Sequence, residues 1–172
     1  MMSLSSKTSS GRKRRLKLRL KSRLRVMAFG TFDVLHKGHA DFFRQARALA
    51  GGYGLPPFLI VSVARDKNVA RIKGQPPLHD ERQRLKSVQT NPLVDRAVLG
   101  GTGDHVPHIA RERPDIIVLG YDQRNYIRGL AAALEKRGLS PKIVRLKPFQ
   151  PHKYKSSIVK KRLARKKARQ KP

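Results

Sequence analysis

Short apolar runs recur along the chain with mixed, helix-like segments between them. "LRVMAF" at 24–29 predicts a first strand, and "KGHADFFRQARALAGG" from Lys37 predicts a helix stopped by Gly51 or Gly52. "PFLIVSVA" is apolar almost throughout, as a strand covered on both faces should be. A helix over "DERQRLKSVQ", a strand over "DRAVLG", a short helix over "GDHVPHIARER" and a strand over "DIIVLG" come next. They are followed by a helix around "YIRGLAAALEKRG" and a strand over "KIVRL". "SSIVKKRLARKKARQ" opens on serines suited to an N-cap and continues as a basic helix. Strand and helix alternate about five times, which predicts an α/β, Rossmann-like parallel sheet with right-handed crossovers and helices on both faces. Ligands of such sheets bind beyond the carboxyl ends of the strands, where strand order reverses.

Four stretches lie at those ends: "GTFDVLHKGH", "RDKNVARIKG", "GTGD" and "GYDQ". The first holds neither the G-x-G-x-x-G nor the Lys-Ser/Thr phosphate cradle. Gly30 ends the strand where a backbone turns and could approach a ligand. The helix from Lys37 and Gly38 points free N–H groups and the positive end of its dipole at the same crevice, which favours phosphate. His36 and His39 can both face that anion and donate to charge growing on a phosphoryl oxygen, and Gly38 between them leaves room for it. Two other readings of the pair stand beside this one: capping or core histidines, and a metal pair for which only Asp33 is near.

Composition narrows the classes. Zero cysteines exclude disulfides, thiolate metal sites and a cysteine nucleophile. No apolar run reaches the roughly 20 residues of a membrane span and no secretory signal is evident, so a cytoplasmic setting is expected. The formal charge of +29 is concentrated at the ends. Residues 1–25 hold ten basic residues and no acid, 153–172 hold ten more, and all 11 acidic residues lie between. The expected organisation is a basic tail at 1–23, a domain at 24–161 and a basic tail at 162–172. Such blocks suit RNA or another polyanion, though a solubilising tail or a transit peptide has similar composition. In "LKLRLKSRLR" the period of two favours a strand over an amphipathic helix.

The string Gly30, Phe32, Asp33, His36, Gly38, His39 resembles the signature Gly-x-Phe-Asp-x-x-His-x-Gly-His of the cytidylyltransferase-like nucleotidyltransferases. "VARDKNVARIKG", "ERQRLKSV", "AVLGGTGD", "RPDIIVLGYDQ" and "KSSIVKK" extend the likeness from about Arg25 to Lys161. They point to the archaeal-type FAD synthase branch, whose relatives include glycerol-3-phosphate and ethanolamine-phosphate cytidylyltransferases.

The resemblance implies the His-x-Gly-His nucleotidyltransferase fold. The implied reaction is transfer of a nucleotidyl group from ATP or CTP, with Mg²⁺ or another divalent cation, to a phosphate-bearing acceptor, FMN above all, releasing pyrophosphate. It implies no covalent enzyme intermediate and no protein metal site, and relatives of this kind are often dimers. By matching position, His36 and His39 hold phosphate oxygens, and Thr31 and Phe32 offer backbone amides. Lys73 and Lys67 neutralise phosphates from the loop after the second strand. Arg84 supports them, although a helix salt bridge is an equal reading for it. Gly120, Tyr121, Asp122 and Gln123 read the base or ribose, with Asp122 alternatively a turn former. Ser156 and Ser157 cap the last helix against the triphosphate. His79, His105, His108 and His152 are expected to be surface or structural. Two departures from the branch are visible. The cysteine pair usual before the final serine motif is replaced by "PFQPHKYKSS", with Lys155 where Ser or Thr is usual, and the basic tails have no counterpart in it.

Overall fold

A computed structural model describes residues 22–123, 129–154 and 156–169. The strands are β1 (Leu24–Gly30), β2 (Pro57–Val63), β3 (Arg96–Leu99), β4 (Ile116–Leu119) and β5 (Lys142–Arg145). The helices are α1 (Lys37–Ala48), α2 (Asp66–Lys73), α3 (Glu81–Gln89), α4 (Val106–Glu112), α5 (Leu130–Glu135), α6 (Pro151–Tyr154) and α7 (Ser156–Arg169). The strands form one sheet of order β3-β2-β1-β4-β5, parallel at every pairing. The chain runs outward from β1 through β2 to β3 and then returns across β1 to β4. The carboxyl ends of β1 and β4 therefore flank the point where strand order reverses.

The alternation of side chains along each strand divides the core in two. Leu24, Val26 and Ala28 of β1, with Leu59, Val61 and Val63 of β2, pack against Phe43 and Ala46 of α1 and Val88 of α3. Met27, Phe29, Ile60, Ile117 and Leu119 face the other way, onto Ile109 of α4 and Leu130 and Leu134 of α5. Both faces of the sheet are covered, as the apolar runs require.

Several boundaries differ from the sequence reading. The glycine stop falls at neither Gly51 nor Gly52: α1 ends at Ala48 with Leu49 as its C-cap, a 3₁₀ turn covers Gly51–Tyr53, and Gly54 takes the left-handed conformation at φ 65°. Residues 66–73, expected to be loop, form α2, with Lys67 and Lys73 on it. Only Asn68 and Val69 of that helix are buried, so its own pattern is weak. Its support comes from α3: the Glu81 carboxylate accepts from the Asp66 N–H (2.9 Å) and the Asp66 carboxylate from the Glu81 N–H (3.0 Å). Each acid caps the other's helix. The helix expected around 126–138 is described only as α5, since 124–128 lie outside the described residues, as does most of the alternating stretch at 16–25. α7 runs across position 161/162 without a break.

Candidate active site

The turn after β1 is built on its aromatic residue. Phe32 adopts a left-handed backbone (φ 51°), unusual for a bulky side chain, and its buried ring folds back beneath Gly30. A β-carbon on Gly30 would lie 2.7 Å from that ring. At Gly38 a β-carbon would come 3.0 Å from the His36 imidazole and 3.1 Å from the Tyr154 carbonyl. The direction in which each glycine would carry a side chain is thus filled by the protein's own ring and chain. The Phe32 ring in turn meets His39 edge-on (centroids 5.2 Å, 65°) and packs on Phe43 at 5.4 Å.

His36 is the N-cap of α1 in extended conformation (φ −146°), yet its side chain makes no capping bond. His39 lies one turn further on, its N–H on the His36 carbonyl at 2.9 Å. The two imidazoles stack, centroids 3.8 Å apart and planes 21° from parallel, and His36 Nε2 is 3.3 Å from Ser156 Oγ at the start of α7. Burial lowers the pKa of both. That of His39 falls to about 3, since the neighbouring His36 opposes a second charge and the Val34 carbonyl only partly compensates. Burial thus favours the neutral form of both rings near pH 7.

Three cationic or anionic groups surround the histidines. Lys73, at the end of α2, places Nζ 3.1 Å from Thr31 Oγ1. Its pKa is lowered by partial burial and next by Lys160, so the two ammonium groups share one region. Lys160 of α7 forms an ion pair with Asp33. The Asp33 carboxylate also accepts from the N–H groups of Leu78 (2.8 Å) and His79 (2.9 Å). Burial alone would raise Asp33, but Lys160 and the two backbone N–H groups outweigh it and hold the pKa at about 2. The carboxylate thereby ties together the β1 turn, the loop before α3 and the helix α7.

Arg84 and Gln123 lie in the expected region with their polar atoms engaged by the protein. The fully buried Arg84 guanidinium donates to the carbonyls of Thr31 (2.6 Å), Ala64 (2.7 Å) and His79 (3.0 Å) and to Asp66 (2.6 Å). Gln123 accepts from the Gly120 N–H and donates to the Phe29 carbonyl, both at 2.9 Å, splinting β4 to β1 across the reversal point. Asp122 is exposed and Tyr121 half-buried at the same rim; Lys67 and Ser157 are exposed. Of the remaining histidines, His79 donates to the Asp33 carbonyl (2.7 Å) and His108 is buried on Ser62 (2.9 Å).

A family profile described as cytidylyltransferase-like matches residues 27–162. The chain belongs to that family. It is accordingly a nucleotidyltransferase. Among its relatives, an FAD synthase of Thermoplasma volcanium is 39% identical over 140 residues, covering 81% of this chain and 94% of that protein. An FAD synthase of Methanosarcina acetivorans is 47% identical over 122 residues, covering 71% and 76%. A solved structure from Thermoplasma volcanium, named a lipopolysaccharide core biosynthesis protein, superposes with TM-score 0.65 at 39% identity, over 74% of this chain and 98% of that one.

In this member of the cytidylyltransferase-like family, two site residues escaped the sequence reading. Lys160 is the residue one helical turn after Ser156, and that i, i+4 spacing was the available signal. Arg145 of β5 reaches the carbonyl of Gly120 (2.7 Å) and that of Gln123 (3.2 Å), clamping the "GYDQ" loop from the neighbouring strand. No sequence signal marked it. A nucleotidyltransferase of this kind implies a divalent cation with its nucleotide. Among the described residues no three His, Asp, Glu or Cys side chains cluster to hold a metal, and Asp33 is already committed.

Proposed function

We propose that the protein is an FAD synthase, transferring the adenylyl group of ATP to the phosphate of FMN with release of pyrophosphate. The observation that carries this reading is the stacked His36–His39 pair at the N-terminus of α1, ringed by Lys73, Lys160 and Ser156, in a chain whose relatives of comparable length are FAD synthases.

The chemistry is an in-line displacement. An oxygen of the acceptor phosphate attacks the α-phosphorus, and the bond to the bridging oxygen of pyrophosphate breaks. Positioning and charge stabilisation suffice for such a step, and none of the residues around the cleft needs to become covalently attached. In this reading the imidazoles of His36 and His39 donate to phosphate oxygens. Lys73 of α2 and Lys160 of α7 neutralise the leaving pyrophosphate. The first turns of α1 and α7 aim their N–H groups at the same charge. Arg84 acts indirectly by holding the Thr31 carbonyl, and Gln123 and Arg145 fix the loop that presents Tyr121 and Asp122 to the base. A Mg²⁺ ion arriving on the triphosphate supplies further charge neutralisation.

Pyrophosphate release, measured with ATP or CTP against FMN, glycerol 3-phosphate and phosphoethanolamine, tests the assignment. Turnover confined to ATP with FMN is expected. Turnover with CTP and a non-flavin acceptor would replace it with a cytidylyltransferase.

A further inference from the structure

The nucleotidyl site uses Ser156 and Lys160 of the basic C-terminal segment and leaves its other cations without a role. No Asp or Glu follows Glu135 in the sequence, so α7 has no counter-ion within its own segment. Its first turns face the site through Ser156 and Lys160, and Ile158 and Val159 are half-buried. Lys161, Arg165 and Arg169 are all exposed and four residues apart, which aligns them on successive turns of one face. Arg162, also exposed, turns back toward the Lys153 carbonyl at 3.4 Å and does not join that row.

Neighbours in such a row are about 5–6 Å apart, and like charges at this spacing destabilise a helix by a few tenths of a kcal/mol per pair. The spacing is on the scale of neighbouring phosphates along one strand. A partner carrying regularly spaced anions turns this repulsion into attraction and gains from counterion release. A helix that lies on a membrane needs an apolar face rich in Trp, Phe or Leu; α7 contains no aromatic residue.

We infer that the Lys161–Arg165–Arg169 face of α7 binds the phosphate backbone of nucleic acid. The inference does not depend on FMN being the acceptor. The ten basic residues of 1–25, with no acid among them, add charge of the same sign. The surface lies on the helix that carries Ser156 and Lys160; Lys161 directly follows Lys160 but points about 100° away around the helix, and Arg165 and Arg169 lie one and two turns further on.

The test is fluorescence anisotropy of a short labelled RNA, and of single- and double-stranded DNA of the same sequence, titrated with the full chain across a range of salt. In the variant K161E/R165E/R169E, affinity at about 0.1 M salt should fall at least tenfold, and the slope of log K against log salt should become shallower by about 2, reflecting three lost phosphate contacts. The glutamine triple variant should lie between the two. Pyrophosphate release and the thermal midpoint, unchanged in both variants, report that the fold is intact. The DNA arms identify which nucleic acid is preferred. Any of three results overturns the inference: no binding of RNA or DNA by the wild type, an unaltered slope in the charge-reversed variant, or equally effective competition by polyglutamate or anionic vesicles.

Discussion

Lys160 in the last helix pairs with Asp33 in the turn after the first strand, so the two ends of the domain meet at one buried carboxylate. Because two backbone N–H groups share that carboxylate, its charge is wanted by the loop before α3 as well as by α7.

The acid stability of the protein should report this. The folded pKa of Asp33, about 2, lies below its unfolded value near 4. Its contribution, about 2 kcal/mol, is therefore fully present above about pH 4 and lost as pH falls toward 2. Urea unfolding midpoints of wild type and Asp33→Asn, compared from pH 2 to 7, should differ most at neutral pH and converge in acid. Parallel curves would show that the carboxylate is not held in this way.

The stacked imidazoles carry the main catalytic expectation. His39→Ala should lower kcat by about 10²–10³, the typical loss for one preorganised donor to a developing oxyanion. The thermal midpoint should change much less, since Phe43 and Ala46 keep α1 in place. Steady-state kinetics of that variant with wild-type turnover would remove His39 from the chemistry.

Both histidines are neutral in the free protein, and a triphosphate favours their charged form. Nucleotide binding at about pH 6 should accordingly draw in protons, visible in calorimetry as a binding enthalpy that varies with the ionisation enthalpy of the buffer. The uptake should shrink in His39→Asn. Without ligand the same groups make the fold sensitive to acid in the opposite sense. With a folded pKa of about 3 for His39 against an unfolded value near 6.5, stability is present above about pH 6.5 and declines as pH falls toward 3.

Arg84 should prove structural before it proves catalytic. Its buried guanidinium holds three carbonyls and Asp66, so Arg84→Met removes four hydrogen bonds at once and leaves Asp66 without its ion-pair partner, and a loss of about 3 kcal/mol in unfolding free energy is expected. A chemical denaturation curve superposing on wild type would contradict this and favour direct contact with phosphate.

The strands were legible because each is a short apolar run, and the His-x-Gly-His turn because its residues are contiguous. Features that depend on partners distant in sequence were not. α2 reads as a polar loop until Glu81 is seen capping it. Gln123 reads as a base contact until the Phe29 carbonyl, 94 residues away, is found on its amide. Arg84 and Arg145 are two cations in a chain with 40 Lys and Arg, and only the acceptors around them distinguish their roles. Local pattern singled out the His-x-Gly-His turn as a candidate; the network that holds it lies in long-range hydrogen bonds.

Gly30→Ala puts the packing of that turn to the sharpest test. An added β-carbon would lie 2.7 Å, 2.8 Å and 3.1 Å from three atoms of the Phe32 ring, closer than carbon atoms pack. The ring cannot simply move away, since His39 meets one side of it and Phe43 another. Overpacking at such a site costs about 1–3 kcal/mol. Because the displaced ring is the one that buttresses His39, kcat should fall together with stability. Shortening the ring in the double variant G30A/F32L should recover much of the thermal midpoint by making room for the methyl group. It should not recover turnover, since the edge-on support of His39 is then gone. Full recovery of both would show that Phe32 serves only as filler, and wild-type behaviour of Gly30→Ala alone would show that the ring does not occupy the space beneath Gly30.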